Sequence, residues 1–265
     1  MKKAVKSIIH FALIFLLTIL TQIGGIIYVL TLFLVTTYNL KRKYGFMIFS
    51  IMYFVSTFLI VPPIAKYLGR EKIQTSNSIK PTSYMTVLLN RNYVVPEMNE
   101  LLKDTDRILM KSGVGIRFLD ANFPFVNGFP LLPHLSHKDG KKLDLSLVYE
   151  TEKGEISTLS KSRSGYGVFV EPKQTEFNQV EKCLDLGYFQ YDYPKYLTFG
   201  EENESLQFSV LGSKRLIKAI LGNENLEKLF IEPHLKQRLK LTDQRIRFHG
   251  CRAVRHDDHI HIQVK

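Results

Sequence analysis

Tryptophan is absent from this 265-residue chain, and cysteine occurs only at positions 183 and 251. Two cysteines without a CxxC pair exclude the four-cysteine zinc folds and the thioredoxin-type redox motif. Their spacing is compatible both with a single disulfide and with two free buried thiols. GxxxxGK[ST], GxGxxG and GxSxG are also missing, so the chain offers neither a phosphate-cradling loop nor the nucleophile elbow of a serine hydrolase. No internal repeat occurs, which excludes solenoids and propellers.

Charge is missing from two long stretches. Residues 8–38 and 46–65 contain no Asp, Glu, Lys or Arg. Each meets the roughly 20 apolar residues that cross a ~30 Å hydrocarbon core, and both are expected to be transmembrane helices embedded in a lipid bilayer. A cleaved signal peptide is the competing reading of the N-terminus, because Lys2, Lys3 and Lys6 precede the first run. The apolar character continues through Gly24-Gly25 to Val35, past the length of a signal h-region, and favours a retained anchor.

The basic surplus sits around these runs. Nine of the 36 Lys and Arg and one of the 25 acids lie before residue 73, a net charge of +8 out of +11. Such charge suits anionic headgroups and topology, and nucleic-acid binding loses its main support. With two crossings, the three charges of Lys41-Arg42-Lys43 oppose six on the N-terminus and the 66–72 flank. The positive-inside rule then places the C-terminal domain in the cytoplasm. The first run would be about 46 Å long as one helix, enough to break near Gly24-Gly25 into a hairpin, and a third crossing would reverse the prediction.

The stretch after Tyr67, LGREKIQTSNSIKPTS, is polar and reads as a juxtamembrane linker. The expected organisation is an anchor over 1–70, a linker over 71–83 and a globular domain over 84–265. Pro96 suits a first helical turn, apolar residues recur at three and four spacing from Met98 to Leu109, and Gly113 closes the pattern, predicting a helix over 96–111. Strand-like stretches follow at 115–119, 143–149, 167–170, 207–210 and 259–264. Helical patterns lie around 174–185 and 213–221, with another beginning at Pro233. The fold class is α+β, a small antiparallel sheet with flanking helices.

Five of the eight histidines fall in two short windows, HLSHKDGKKLDLSLVYE (134–150) and HDDHIHIQVK (256–265). On a strand, Leu143, Leu145 and Leu147 take one face and Asp144 the other. The same alternation puts His259 and His261 on one face and Ile260 and Ile262 on the opposite one. Two histidines and an aspartate from a turn, a strand and a distant strand make a three-donor set of the kind a catalytic zinc uses, leaving one place for water. Taken singly, a His-x-His on a terminal strand is more often a solvated or hydrogen-bonded pair than a ligand pair, and Asp257 or Asp258 is as compatible with a solvated turn as with a group orienting an imidazole.

The stretches SHKDGKKLDL and HDDHIHI resemble the metal motifs of the LAS metallopeptidases, the group of lysostaphin-type enzymes, D-Ala-D-Ala peptidases and the hedgehog signalling domain. Within it they are most similar to the penicillin-insensitive murein endopeptidases, which also have a histidine three before the first ligand and an HDDH run before the last. The segment LFIEPHLKQRL (229–239) is similar to that family's strand and helix upstream of the terminal motif. The resemblance covers roughly 115–265. It implies that His137, Asp144 and His261 bind Zn²⁺, that His259 assists catalysis and that His134 and His256 support the site. It further implies hydrolysis of a peptide bond in peptidoglycan stem or cross-link peptides by zinc-activated water, with the domain facing out of the cytoplasm. A non-catalytic zinc-containing binding or signalling module of hedgehog-like fold, or a peptidase for a small non-wall peptide, is also compatible with the motifs. GCRAV stands where the family carries aromatics before HDDH, so substrate recognition does not carry over.

Two further stretches have open roles. The six aromatics of YFQYDYPKYLTF (188–199) serve as core positions or as a stacking surface. KSRSGYG (161–167) is a surface loop or a lid.

Overall fold

The structure, a computed structural model, describes residues 2–265. Apolar helices open the chain at Lys2–Thr21, Gly24–Thr37 and Arg42–Tyr67. The last widens into a π turn at Ser56–Ile60 just before Pro62 and Pro63, whose rings remove two backbone donors from the ladder. Ala4–Thr21 and Arg42–Tyr67 are long and apolar enough to cross a membrane, whereas Gly24–Thr37 is shorter. The first of them, lying near the N-terminus, also has the makeup of a signal sequence.

The uncharged run 8–38 is therefore two helices. It breaks at Gln22, which adopts φ 65°. Gly25 lets the two helices touch, since a Cβ there would stand 1.9 Å from Thr18 Oγ1 and 2.7 Å from the Ile14 carbonyl oxygen. The break faces the globular domain: the Phe125 N–H donates to Gln22 Oε1 at 2.9 Å. Ile23, Ile27, Val61, Ala65 and Tyr93 form one buried cluster there. The turn carrying Lys41-Arg42-Lys43 consequently lies at the far end of the helices.

Glu71–Lys72 pairs with Tyr93–Val94, and Ile79–Pro81 joins the main sheet. The stretch expected to be a linker is thus folded into the domain. Ile73 and Ile79 enter the main core, and Asn99 accepts from Gln74 N–H and donates to the Lys72 carbonyl. The polar residues Gln74, Thr75, Ser76 and Asn77 of this stretch are exposed in the connection between its two strands.

The main sheet has six strands in the order Ile246–Arg247, Leu226–Phe230, His259–Val264, Lys142–Ser146, Ile116–Phe118, Ile79–Pro81. Its centre is antiparallel, as expected, but both edge pairs are parallel, which makes the sheet mixed. The helices Pro96–Leu109 and Val210–Leu221 contribute to one core with the sheet's apolar face. That face includes Leu143, Leu145, Ile260 and Ile262, all fully buried, each stabilising by about 1.5–3 kcal/mol. A one-residue slip would turn these four side chains out of the core, so the core fixes the register.

Two strand expectations change. The run 143–149 leaves the main sheet at Leu147–Val148, and Tyr149–Glu150 becomes the middle of a three-stranded sheet with Ile156–Ser157 and Gln207–Phe208. Residues 167–170 form no strand; Val170 N–H makes a single bond to the Asp257 carbonyl. The predicted helix at 96–111 is present as Pro96–Leu109. The strand and helix anticipated at 229–239 are present as Leu226–Phe230 and Pro233–Arg238.

Candidate metal centre

The terminal strand lies between Lys142–Ser146 and Leu226–Phe230, and its register sets His261 directly opposite Asp144 and His259 opposite Ser146. The apolar alternation that builds the core thereby collects Asp144, His259 and His261 on the other face. His137 arrives from the loop before Lys142. Its Nδ1 bonds the Ala121 carbonyl at 2.6 Å. A carbonyl only accepts, so Nδ1 carries the proton and Nε2 presents a lone pair.

That lone pair points at a small triangle. His137 Nε2 lies 3.2 Å from Asp144 Oδ1 and 3.1 Å from His261 Nδ1, and His261 Nδ1 lies 2.8 Å from the same Asp144 oxygen. Donors around one tetrahedral zinc at ~2.0–2.2 Å stand ~3.3–3.6 Å apart, so a few tenths of an ångström of opening suffice. His134 stands on the other carboxylate oxygen, with Nδ1 3.3 Å from Asp144 Oδ2. His134, His137 and Asp144 offer donor atoms within 4.8 Å of one another and form a group that can hold a metal ion. Asp144 belongs to both sets, and His261 makes the tighter approach.

The electrostatics suit a cation. Burial works against the Asp144 charge, but His137, His259 and His134 around it outweigh that and hold its carboxyl well below the usual carboxylate range. Burial lowers His134 and His256 well below the ordinary histidine value and brings His261 down to about 4. Those three imidazoles are therefore neutral at pH 7, as ligands must be. His256 Nδ1, His259 Nε2 and His261 Nε2 are buried without a hydrogen-bond partner, the kind of deficit that a bound polar group fills.

His259 differs from its neighbours. Burial disfavours its charge, yet Asp258 and Asp144 overcome this and push it up to about 9. Its Nδ1 is 2.5 Å from Asp258 Oδ1, and its Nε2 is 3.8 Å from Asp144 Oδ2. Asp258 is fully buried and also accepts from Gly167 N–H, so it orients the imidazole rather than forming a solvated turn. Asp257 is equally buried and pairs with Arg255.

Several members of the site carry no motif in the sequence. Tyr166 donates to Asp144 Oδ2 at 2.9 Å and accepts from Asp120 N–H at 3.1 Å. Burial, then Asp144 and Asp120, raise its pKa well above the ordinary value, which keeps it a donor. It is presented by Gly165 and Gly167, both at positive φ; a Cβ would stand 2.2 Å from Leu119 Cδ2 at one and 2.3 Å from the Pro194 carbonyl oxygen at the other. KSRSGYG is thus a surface loop, with Arg163 exposed, whose Tyr166 packs into the wall of the site. The Gly-Tyr-Gly spacing was the one available signal. His249 stacks on His256 with ring centroids 5.1 Å apart, and Glu232 Oε1 accepts from both His256 N–H and Tyr191 Oη–H. Tyr191 is core, whereas Tyr193 lines the cleft, so the aromatic stretch divides between the two roles.

Cys183 and Cys251 form a disulfide that fastens Gln179–Asp185 to the GCRAV segment ahead of HDDH. The cleft above the histidines has a volume of about 400 Å³; His134, His256 and His261 form its floor, and Tyr166, Tyr193 and Arg252 part of its walls. No protein-family model matches this chain, and no curated protein matches it.

Proposed function

We propose that the chain is a membrane-anchored, zinc-dependent peptidase of the LAS type, cleaving a peptide bond in peptidoglycan stem or cross-link peptides. The observation that carries this reading is the approach of His137 Nε2, Asp144 Oδ1 and His261 Nδ1 to within 3.2 Å of one another, with a tautomer that aims the first lone pair inward. A zinc ion held there would polarise a scissile carbonyl and bring the pKa of a water toward ~7. Hydrolysis adds that water across the amide C–N bond and yields a carboxylate and an amine. His259, held charged by Asp258 and Asp144 and with its Nε2 3.8 Å from Asp144 Oδ2, would stabilise negative charge developing on the substrate carbonyl oxygen and pass a proton to the departing nitrogen. Tyr166 and His134 fix the second Asp144 oxygen, which keeps Oδ1 directed at the other donors.

The outward placement of the domain is supported by two features. A disulfide persists in oxidising compartments. The break at Gln22 abuts the domain, so the helix Lys2–Thr21 carries the N-terminus with Lys2, Lys3 and Lys6 away from it, and the turn with Lys41, Arg42 and Lys43 lies on the same far side. Counting Gly24–Thr37, 14 residues long, as a further crossing would set six charges there against Lys66, Arg70 and Lys72 at the domain end, which favours an outward domain over the two-crossing prediction. Full-length protein in detergent tests the function: it should release muropeptides from sacculi, with activity abolished by a chelator and restored by zinc. Zinc-loaded protein that releases nothing from sacculi would overturn the wall-peptidase reading.

A further inference from the structure

The cleft does not end at the histidines. From His134, Asp120 and Tyr166 a groove of about 640 Å³ runs to the membrane helices, bounded by Leu20, Met85, Leu89, Leu132, Leu197 and Phe199. That volume falls within the ~300–1,000 Å³ of ordinary ligand sites. Met85, Leu132 and Phe199 remain 55%, 49% and 75% exposed, an apolar surface that no part of the described chain covers.

The far end of the groove reaches bilayer level. Leu20 is the penultimate residue of the apolar helix Lys2–Thr21, whose 20 residues match a ~30 Å hydrocarbon layer. The short helix Tyr84–Leu88, which supplies Met85, is fixed to the other long apolar helix: Tyr53 Oη donates to the Leu88 carbonyl at 2.6 Å, and Asn90 Nδ2 to Thr57 Oγ1 at 3.3 Å. Tyr53 lies 14 residues before Tyr67, about 21 Å along that helix, so Tyr84–Leu88 reaches well down its side. The two arginines of the groove are already ion-paired, Arg91 with Asp120 and Arg163 with Glu202. Hydrocarbon, rather than an anion, is what the lining matches.

We propose that this groove receives the hydrocarbon chain of an amphiphile drawn from the bilayer, so that the site acts on a lipid-linked peptide. The fate of the head group rests on the peptidase reading above; occupancy by the chain does not. A mostly apolar path from Leu20 to His134, with Ser83, Thr86 and Ser164 also on its walls, lets the tail stay largely out of water while the peptide reaches the cleft, which a freely diffusing substrate would not need.

The test is photo-cross-linking of the full chain in nanodiscs of phosphatidylethanolamine and phosphatidylglycerol with an N-palmitoyl dipeptide bearing a diazirine near the end of its acyl chain. Adducts are expected on peptides containing Met85, Leu132 or Leu197, reduced about tenfold in Met85→Asp and in Leu132→Asp, each worth about one decade of affinity. Both side chains are exposed, so thermal melting of the variants should match the parent. Adducts confined to residues 4–67, or unchanged in both variants, would overturn the proposal. Groove labelling without any peptide hydrolysis upholds the tail site and removes the peptidase reading; zinc-dependent hydrolysis of soluble peptides with no groove labelling does the reverse.

Discussion

Asp144 and His261 are direct partners on adjacent antiparallel strands, and their side chains meet at 2.8 Å on the face opposite the core. On the reverse face of the same strands Leu143 and Ile262 are paired and fully buried. Stability and chemistry therefore occupy opposite sides of one ladder. Ile262→Ala should cost about 2–5 kcal/mol by urea denaturation while zinc stoichiometry at low denaturant is unchanged. A loss of stability below that range would mean the site's own contacts, not the apolar face, set the register.

His259 is the residue whose removal separates catalysis from metal retention. His259→Ala should lower kcat for peptide hydrolysis by about 10²–10⁴ and leave bound zinc near one per chain. A variant that keeps its metal and most of its rate would favour a binding module over an enzyme.

The disulfide closes a 68-residue separation. Chain-entropy reasoning gives such a closure about 4 kcal/mol. Cys183→Ser should lower Tm in step with reduction of the parent by dithiothreitol, and because Cys251 leads into HDDH, it should also loosen zinc affinity. Equal Tm values for oxidised and reduced parent would show that the bridge does not form.

Away from the metal centre, Arg238 clamps Glu176 at 2.5 Å and lowers its pKa from 4.5 to about 2. A carboxyl more acidic in the folded state than in the unfolded one stabilises fully above about pH 4.5, and that contribution fades as pH falls toward 2. Urea midpoints of the parent and Glu176→Gln should differ most at pH 7, differ less at pH 3 and converge only as pH falls to about 2. A constant gap across that range would remove the ion pair from the explanation.

Strict alternation made the core and the strand-borne part of the site legible in the sequence. LDLSL and HIHIQV declare which residues face together, and the Pro96 helix declares itself by its start and its spacing. The strands at Ile79–Pro81 and Tyr93–Val94 were hidden because two or three residues carry too little periodicity to read. Tyr166, Asp120 and Glu232 were hidden for a different reason. Each reaches the site through a long-range bond, to Asp144, to Tyr166 and to His256 respectively, and such pairings leave no local pattern. The break at Gln22 could be suspected from Gly24-Gly25, but only its contact with Phe125 tells which side of the anchor the turn lies on.

The most direct measurement of the central claim is zinc K-edge X-ray absorption on the full-length protein. The parent should bind about one zinc per chain with nitrogen and oxygen neighbours at ~2.0–2.2 Å, two of the nitrogens showing imidazole scattering, and Asp144→Asn should lose the ion while keeping its fold. Parent protein without stoichiometric zinc, or an absorption spectrum unchanged by His137→Ala and His261→Ala, would contradict it.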